Sequence, residues 1–162
     1  MKMKNIVLLA FAILLVSCNN SITVENNDAK ISFKNGDLMT DVSSDPMGNP
    51  LVYPKGEASI TSQVKVWEPG FSSPWHFHPY QCAAYIIQGE LTVNFDTNTS
   101  LDDLQADKES TMTQTYTAGE AFIGTANTWH YSENKGSEDL TFLVSWLGEK
   151  GMPIAVLEPA KE

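Results

Sequence analysis

GFSSPWHFHPYQCAAYIIQG, residues 70–89, carries two of the three histidines of this 162-residue chain. His76 and His78 are two positions apart. On a strand, residues i and i+2 project from one face, with Cα atoms roughly 6.6 Å apart. Two imidazoles so placed can converge on one ion at about 2.0–2.1 Å from each nitrogen. The remaining histidine, His130, lies in Asn127-Thr128-Trp129-His130-Tyr131-Ser132, another strand-like segment. A third imidazole from a neighbouring strand would complete a three-histidine site with positions left for water or substrate. The expected cofactor is one divalent transition metal, Fe, Mn, Zn, Ni or Cu.

Working outward, the chain consists of short β-prone segments separated by turn residues, the pattern of an all-β sandwich or barrel. Gln63-Val64-Lys65-Val66 and Leu91–Phe95 alternate polar and apolar. Leu140, Phe142, Val144 and Trp146 share one face of a further strand. Additional strands are expected at Asp37–Asp41, Tyr85–Gln88, Thr111–Tyr116, Ala121–Ile123, Trp129–Ser132 and Pro153–Leu157. Prolines and glycines punctuate them at Pro46-Met47-Gly48-Asn49-Pro50, Pro69-Gly70, Gly89 and Gly119. Residues 96–113 break this rhythm, being polar and acidic. A short helix capped at Ser100, a solvated loop, or a lid over a pocket are the alternatives there.

The two histidine segments resemble the motifs of the cupins. The family's first motif is Gly, five residues, His-x-His, three or four residues, Glu, six residues, Gly. Here Gly70, His76, His78 and Gly89 keep that spacing, and Cys82 stands in the glutamate slot. The second motif is Gly, five residues, Pro-x-Gly, two residues, His, three residues, Asn. Gly119, His130 and Asn134 match it, with Thr125 and Asn127 replacing the proline and glycine. Asparagine tolerates a left-handed turn, so the turn is expected to survive. With flanking strands, the two motifs span roughly Ala58 to Pro153. The resemblance implies a single-domain jelly roll, or double-stranded β-helix, holding a metal inside one end. The family includes dioxygenases, isomerases, lyases and non-catalytic binders, so it leaves the reaction open.

Cys82 has several readings. It is a small wall residue beside a bare three-histidine site, or a fourth, thiolate ligand favouring a softer metal. It also resembles the cysteine of thiol dioxygenases, in some of which it is cross-linked to a tyrosine; Tyr80, Tyr85, Tyr116 and Tyr131 are the candidates. Alternatively a bulge after Pro79 brings Gln81 into the ligand slot. Trp75, Tyr80 and Tyr85 are the pocket candidates for stacking a planar or sugar-like ligand. Trp129 and Tyr131 share a face opposite His130 and are expected to fill the space between sheets.

The formal net charge is −10, and all ten basic residues are lysine. Without arginine or a basic stripe, nucleic acid is excluded as a partner. The absent guanidinium fork also argues for a neutral, aromatic or sugar-like substrate.

Lys2 and Lys4 precede an apolar run, Ile6–Val16, whose 11 residues are too few to span a bilayer. Leu15-Val16-Ser17-Cys18 resembles the lipobox of bacterial lipoproteins. That resemblance implies a signal peptide over 1–17 and lipidation of Cys18. Residues 18–29 then read as a lipidated, Asn-rich tether, and 30–162 as the barrel. Asn19 replaces the aspartate that retains some lipoproteins at the inner membrane, which points to the outer membrane. The expected protein is an envelope-anchored metal-binding cupin acting enzymatically on a small organic molecule. The alternatives are a non-catalytic binding module and a thiol-dioxygenase-like enzyme using Cys82. Assembly as a homodimer is left open.

Overall fold

The computed structural model describes residues 22–26, 29–33 and 35–160. The expected leader and the expected lipidation site, Cys18, lie outside the described residues. Two units divide the chain, Met1–Asn35 and Gly36–Glu162. In the first, β1 (Ile22–Asn26) pairs antiparallel with β2 (Ala29–Phe33), setting Ile22 opposite Phe33 and Val24 opposite Ile31. A polar tether was expected over 18–29. Its composition hid a period-two alternation that continues past residue 29, the signature of a hairpin.

The second unit has no helix among the described residues and folds as two antiparallel sheets. Its strands are β3 (Ala58–Trp67), β4 (His76–Phe77), β5 (Cys82–Gln88), β6 (Glu90–Asp96), β7 (Met112–Thr117), β8 (Ala121–Gly124), β9 (Trp129–Glu133), β10 (Leu140–Glu149) and β11 (Val156–Leu157). One sheet runs β3-β10-β5-β8 and the other β11-β4-β9-β6-β7. This is the expected jelly-roll arrangement. Its core comes from alternate residues on three strands: Cys82, Ala84 and Ile86 of β5; Leu91, Val93 and Phe95 of β6; and Leu140, Phe142, Val144 and Trp146 of β10. Ile86 and Leu140 are fully enclosed.

Several expected elements differ. Asp37–Asp41 forms no strand; Asp41 adopts φ 50°, a left-handed conformation that interrupts extended pairing. Of Pro153–Leu157 only Val156–Leu157 pairs, against Phe77 and His76, since Pro153 has no N–H to give a ladder. Residues 97–111 form a loop with no helix. Ser100 Oγ accepts from Asp102 N, and Asp103 Oδ1 accepts from Ala106 N, so side-chain turns compete with helical bonds. Asp96 anchors the loop base: its carboxylate accepts from the backbone of Asn98, Thr99 and Glu109 and from the Thr99 hydroxyl, at 2.7–3.0 Å.

β3 is inverted relative to the usual burial rule. Gln63, Lys65 and Trp67 are half-buried, whereas Ile60, Val64 and Val66 are each more than 60% exposed. Register explains the parity: Lys65 lies opposite Phe142 and Gln63 opposite Val144, both core residues of β10.

Turns fasten the strands that carry the histidines. Asn127 takes φ 52°, the left-handed conformation its glycine-like slot requires, and its N–H donates to His78 O at 2.8 Å. Asn134 is 1% exposed; its amide donates to Trp67 O and Glu138 O, and its Oδ1 accepts from Gly136 N. The second motif's asparagine thus closes the end of β9 onto the end of β3.

Candidate metal centre

His76 on β4 and His130 on β9 are direct register partners, and His78 follows one residue beyond β4. Their ring centroids stand 4.3 Å (76–130), 5.0 Å (76–78) and 5.0 Å (78–130) apart. One ring nitrogen of each lies within 4.8 Å of the others. The three imidazoles therefore converge as the strand spacing implies.

Each ring is oriented by the same device. Nδ1 of His76 bonds Pro74 O at 2.9 Å, that of His78 bonds Ile154 O at 2.6 Å, and that of His130 bonds Thr128 O at 2.9 Å. A carbonyl only accepts, so each Nδ1 carries the proton and each Nε2 keeps its lone pair. Backbone partners of this kind orient metal-ligating histidines and set their tautomer. Burial, the largest influence, lowers the pKa of all three: that of His78 falls to about 4, helped by the neighbouring His76, and that of His130 falls well below 6.5. The cluster is thus three neutral nitrogen donors at neutral pH. That donor set fits a borderline transition metal and leaves coordination positions free.

The same shifts predict an acid-sensitive chelated protein. Unfolded histidines take protons near pH 6.5, whereas the folded ones resist, so stability falls as pH drops through the window from about 6.5 to about 4. His78 alone accounts for about 3 kcal/mol across it. Urea midpoints of chelated protein at pH 7.5 and 4.5 measure this, and the loss should shrink when all three histidines are replaced by glutamine.

The cluster opens into a cavity of about 310 Å³ between the sheets. Its wall includes Lys65, Phe71, Phe122, Phe142 and Trp146, and no Asp or Glu among the described residues. Cys82 lines it too, 6% exposed, but stands outside the group of convergent donors. Burial pushes its thiol up to about 12, so it is a neutral wall residue in this arrangement. We expect native Cys82 to hold about a thousandfold less thiolate at pH 8 than a free thiol, visible as slow reaction with an aromatic disulfide reagent that becomes fast in urea.

Other candidate residues fall elsewhere. Gln81 points away from the histidines: its Oε1 accepts from Val52 N at 3.1 Å and its Nε2 donates to Pro50 O at 3.2 Å. Trp75, Tyr80 and Tyr85 are not among the cavity's lining residues. Alternation sets Trp75 opposite His76, and it meets the Tyr131 ring edge-on at 4.7 Å. Tyr85 is likewise out of phase with Cys82, Ala84 and Ile86. Tyr80, beyond the Pro79 turn, lines a separate depression with Glu149. Of the four tyrosines considered beside Cys82, only Tyr116 lines the cavity; it stacks on Phe122 at 3.8 Å and its hydroxyl donates to Gln114. Lys65, Gln63, Phe71 and Trp146 were missed as wall residues. Counting strand parity from His130 and Cys82 would have found the last.

Trp129 corrects another expectation. It is fully buried, but on the face of β9 opposite His130, outside the core cluster between the sheets. Residues 97–111 cover it: Nε1 donates to Ser100 O at 3.3 Å, and Lys108 Nζ sits 4.2 Å from the ring centroid.

An antiparallel jelly roll with three convergent inward imidazoles is the arrangement that the two histidine motifs imply. The chain belongs to the cupin family: the family model described as "Cupin domain" matches residues 63–146. Comparison with the curated proteins found no match. Among solved structures, the DMSP lyase DddQ of Ruegeria pomeroyi is similar at 17% identity, covering 64% of this chain and 46% of that one, with TM-score 0.47. A mutant oxalate decarboxylase of Bacillus subtilis is similar at 26% identity over 60% of this chain and 23% of its own, also at 0.47. The oxalate decarboxylase of Lactobacillus farciminis is 18% identical over 85% of this chain and 33% of its own, at 0.47. The chain spans less than half the length of each.

Proposed function

We propose that this is a metal-binding cupin in which His76, His78 and His130 hold one divalent transition ion, and that it acts as an enzyme on a small organic molecule bound in the cavity. The observation that carries this is the shared orientation of the three rings, each locked by Nδ1 to a backbone carbonyl with Nε2 free. A bound ion would supply Lewis acidity toward an oxygen of the substrate. The chain's own residues do the rest. Phe71, Phe122 and Phe142 line the cavity with apolar surface, the three carbonyl bonds keep the imidazoles from rotating, and burial keeps the rings neutral.

A non-catalytic binding module is the second reading. It is favoured by a wall with no carboxylate among the described residues and a Cys82 thiol held neutral, neither of which offers a general base. Elemental analysis of purified protein, followed by chelation, separates the readings. An enzyme contains about one ion per chain and loses turnover on chelation; a binder retains its ligand and shows no turnover in either state. Lipid anchoring in the cell envelope, at the outer membrane with the barrel on its periplasmic or external side, is part of the proposal and rests on Lys2, Lys4, the Ile6–Val16 run and Cys18. Metabolic labelling with a fatty acid, lost in Cys18→Ala, tests it.

A further inference from the structure

The cavity has an unusual charge for so acidic a chain. Among the described residues no Asp or Glu lines it, and Lys65 is the basic residue on its wall. Lys65 is placed there by the inverted parity of β3, which turns Gln63 and Lys65 inward and leaves Ile60, Val64 and Val66 in solvent. Sheets ordinarily bury the β-branched face, so a strand oriented the other way has its polar residues matched to something inside. Lys65 has no carboxylate partner among the described residues, whose ion pairs are Lys108–Glu158, Lys135–Glu133 and Lys150–Glu57. Its charge bears on both His76 and His78.

The wall also holds buried polar atoms with no hydrogen-bond partner: Gln63 Oε1, Thr125 Oγ1 and Trp146 Nε1. Trp146 is 5% and Thr125 2% exposed, and the Trp146 ring lies 5.4 Å from that of His78. Buried polar groups are nearly always satisfied, so three orphans around one cavity mark where a ligand's polar atoms belong. Two of them, the indole N–H and the threonine hydroxyl, can donate to an oxygen.

From this placement we infer that the cavity takes a small monocarboxylate with an apolar body, its carboxylate held by Lys65 and the unpartnered donors, its remainder packed on Phe71, Phe122 and Phe142. In one respect the inference rests on the metal reading: three neutral imidazoles leave a divalent ion's charge uncompensated, and Cys82 stands where the family pattern has an anionic glutamate. An anionic ligand supplies that missing charge. Lys65 thereby takes the part that the absence of arginine had seemed to close, as a point charge in place of a fork.

Calorimetric titration of the purified chain with two charge-differing pairs, benzoate against benzamide and phenylacetate against phenylacetamide, tests this. At least one carboxylate should bind about tenfold or more tightly than its amide. Lys65→Met should bring that ratio near one without weakening Co(II) uptake, and Lys65→Arg should restore most of it. The proposal is overturned if carboxylate and amide bind alike, if neither carboxylate binds at millimolar concentration, or if Lys65→Met leaves the ratio intact while its circular dichroism is unchanged. Should the chain take up no Co(II) yet keep a Lys65-dependent preference, the metal reading fails and the anion site stands.

Discussion

His76→Ala should abolish tight metal binding, taking the chain from about one ion to none after dialysis. Losing a residue that only orients a ligand costs about 10–100-fold in affinity. Losing a ligand removes a bond as well, so a fall beyond about a hundredfold is expected, and the same for His130→Ala. The paired register of these residues on β4 and β9 means that neither has a substitute: the convergent donors among the described residues are the three histidines themselves. Cys82 cannot step in cheaply, because burial holds its thiol protonated. Competition titration with a chromophoric chelator measures the effect. Near-native affinity in both variants would remove the imidazoles from the metal account.

The second large effect is on stability. Trp129→Ala should destabilise the fold by about 3–5 kcal/mol, the range for emptying a fully buried aromatic site. The residue ties three parts together. It meets Phe77 edge-on at 5.0 Å, it caps β9, and it seats the loop through Ser100 O and Lys108. Lys108 in turn bonds Leu104 O, Ala106 O and Glu158. Its loss should therefore open residues 97–111 to protease while His130, fixed separately through Thr128 O, still binds metal. Urea unfolding and limited proteolysis read the two parts, and a change below about 1 kcal/mol would show that the loop does not depend on this ring.

What the sequence revealed about the site was the part governed by strand periodicity. His-x-His on a strand must present both rings on one side, and Asn127 carried its left-handed turn visibly, whereas Asn134 was legible as a motif position and not as the residue that fastens β9 to β3. The remainder depended on which side of each strand becomes the inside. Trp75 and Tyr85 looked like pocket residues by proximity in sequence, yet each is one position out of phase with an inward neighbour. Gln63 and Lys65 looked like an ordinary solvent face until pairing with β10 turned them inward. Trp129 was legible as buried but not as buried beneath a loop, because a polar acidic segment gives no sign that it will fold over the back of a sheet. The hairpin at residues 22–33 was obscured by asparagines whose number outweighed the alternation around them.

X-ray absorption at the metal edge of the Zn(II)-loaded chain tests the central claim most directly. Convergence of His76, His78 and His130 predicts one ion per chain with three imidazole nitrogens at about 2.0–2.1 Å and the remaining positions filled by oxygen. A sulfur at about 2.3 Å, or fewer than three imidazoles, would contradict it.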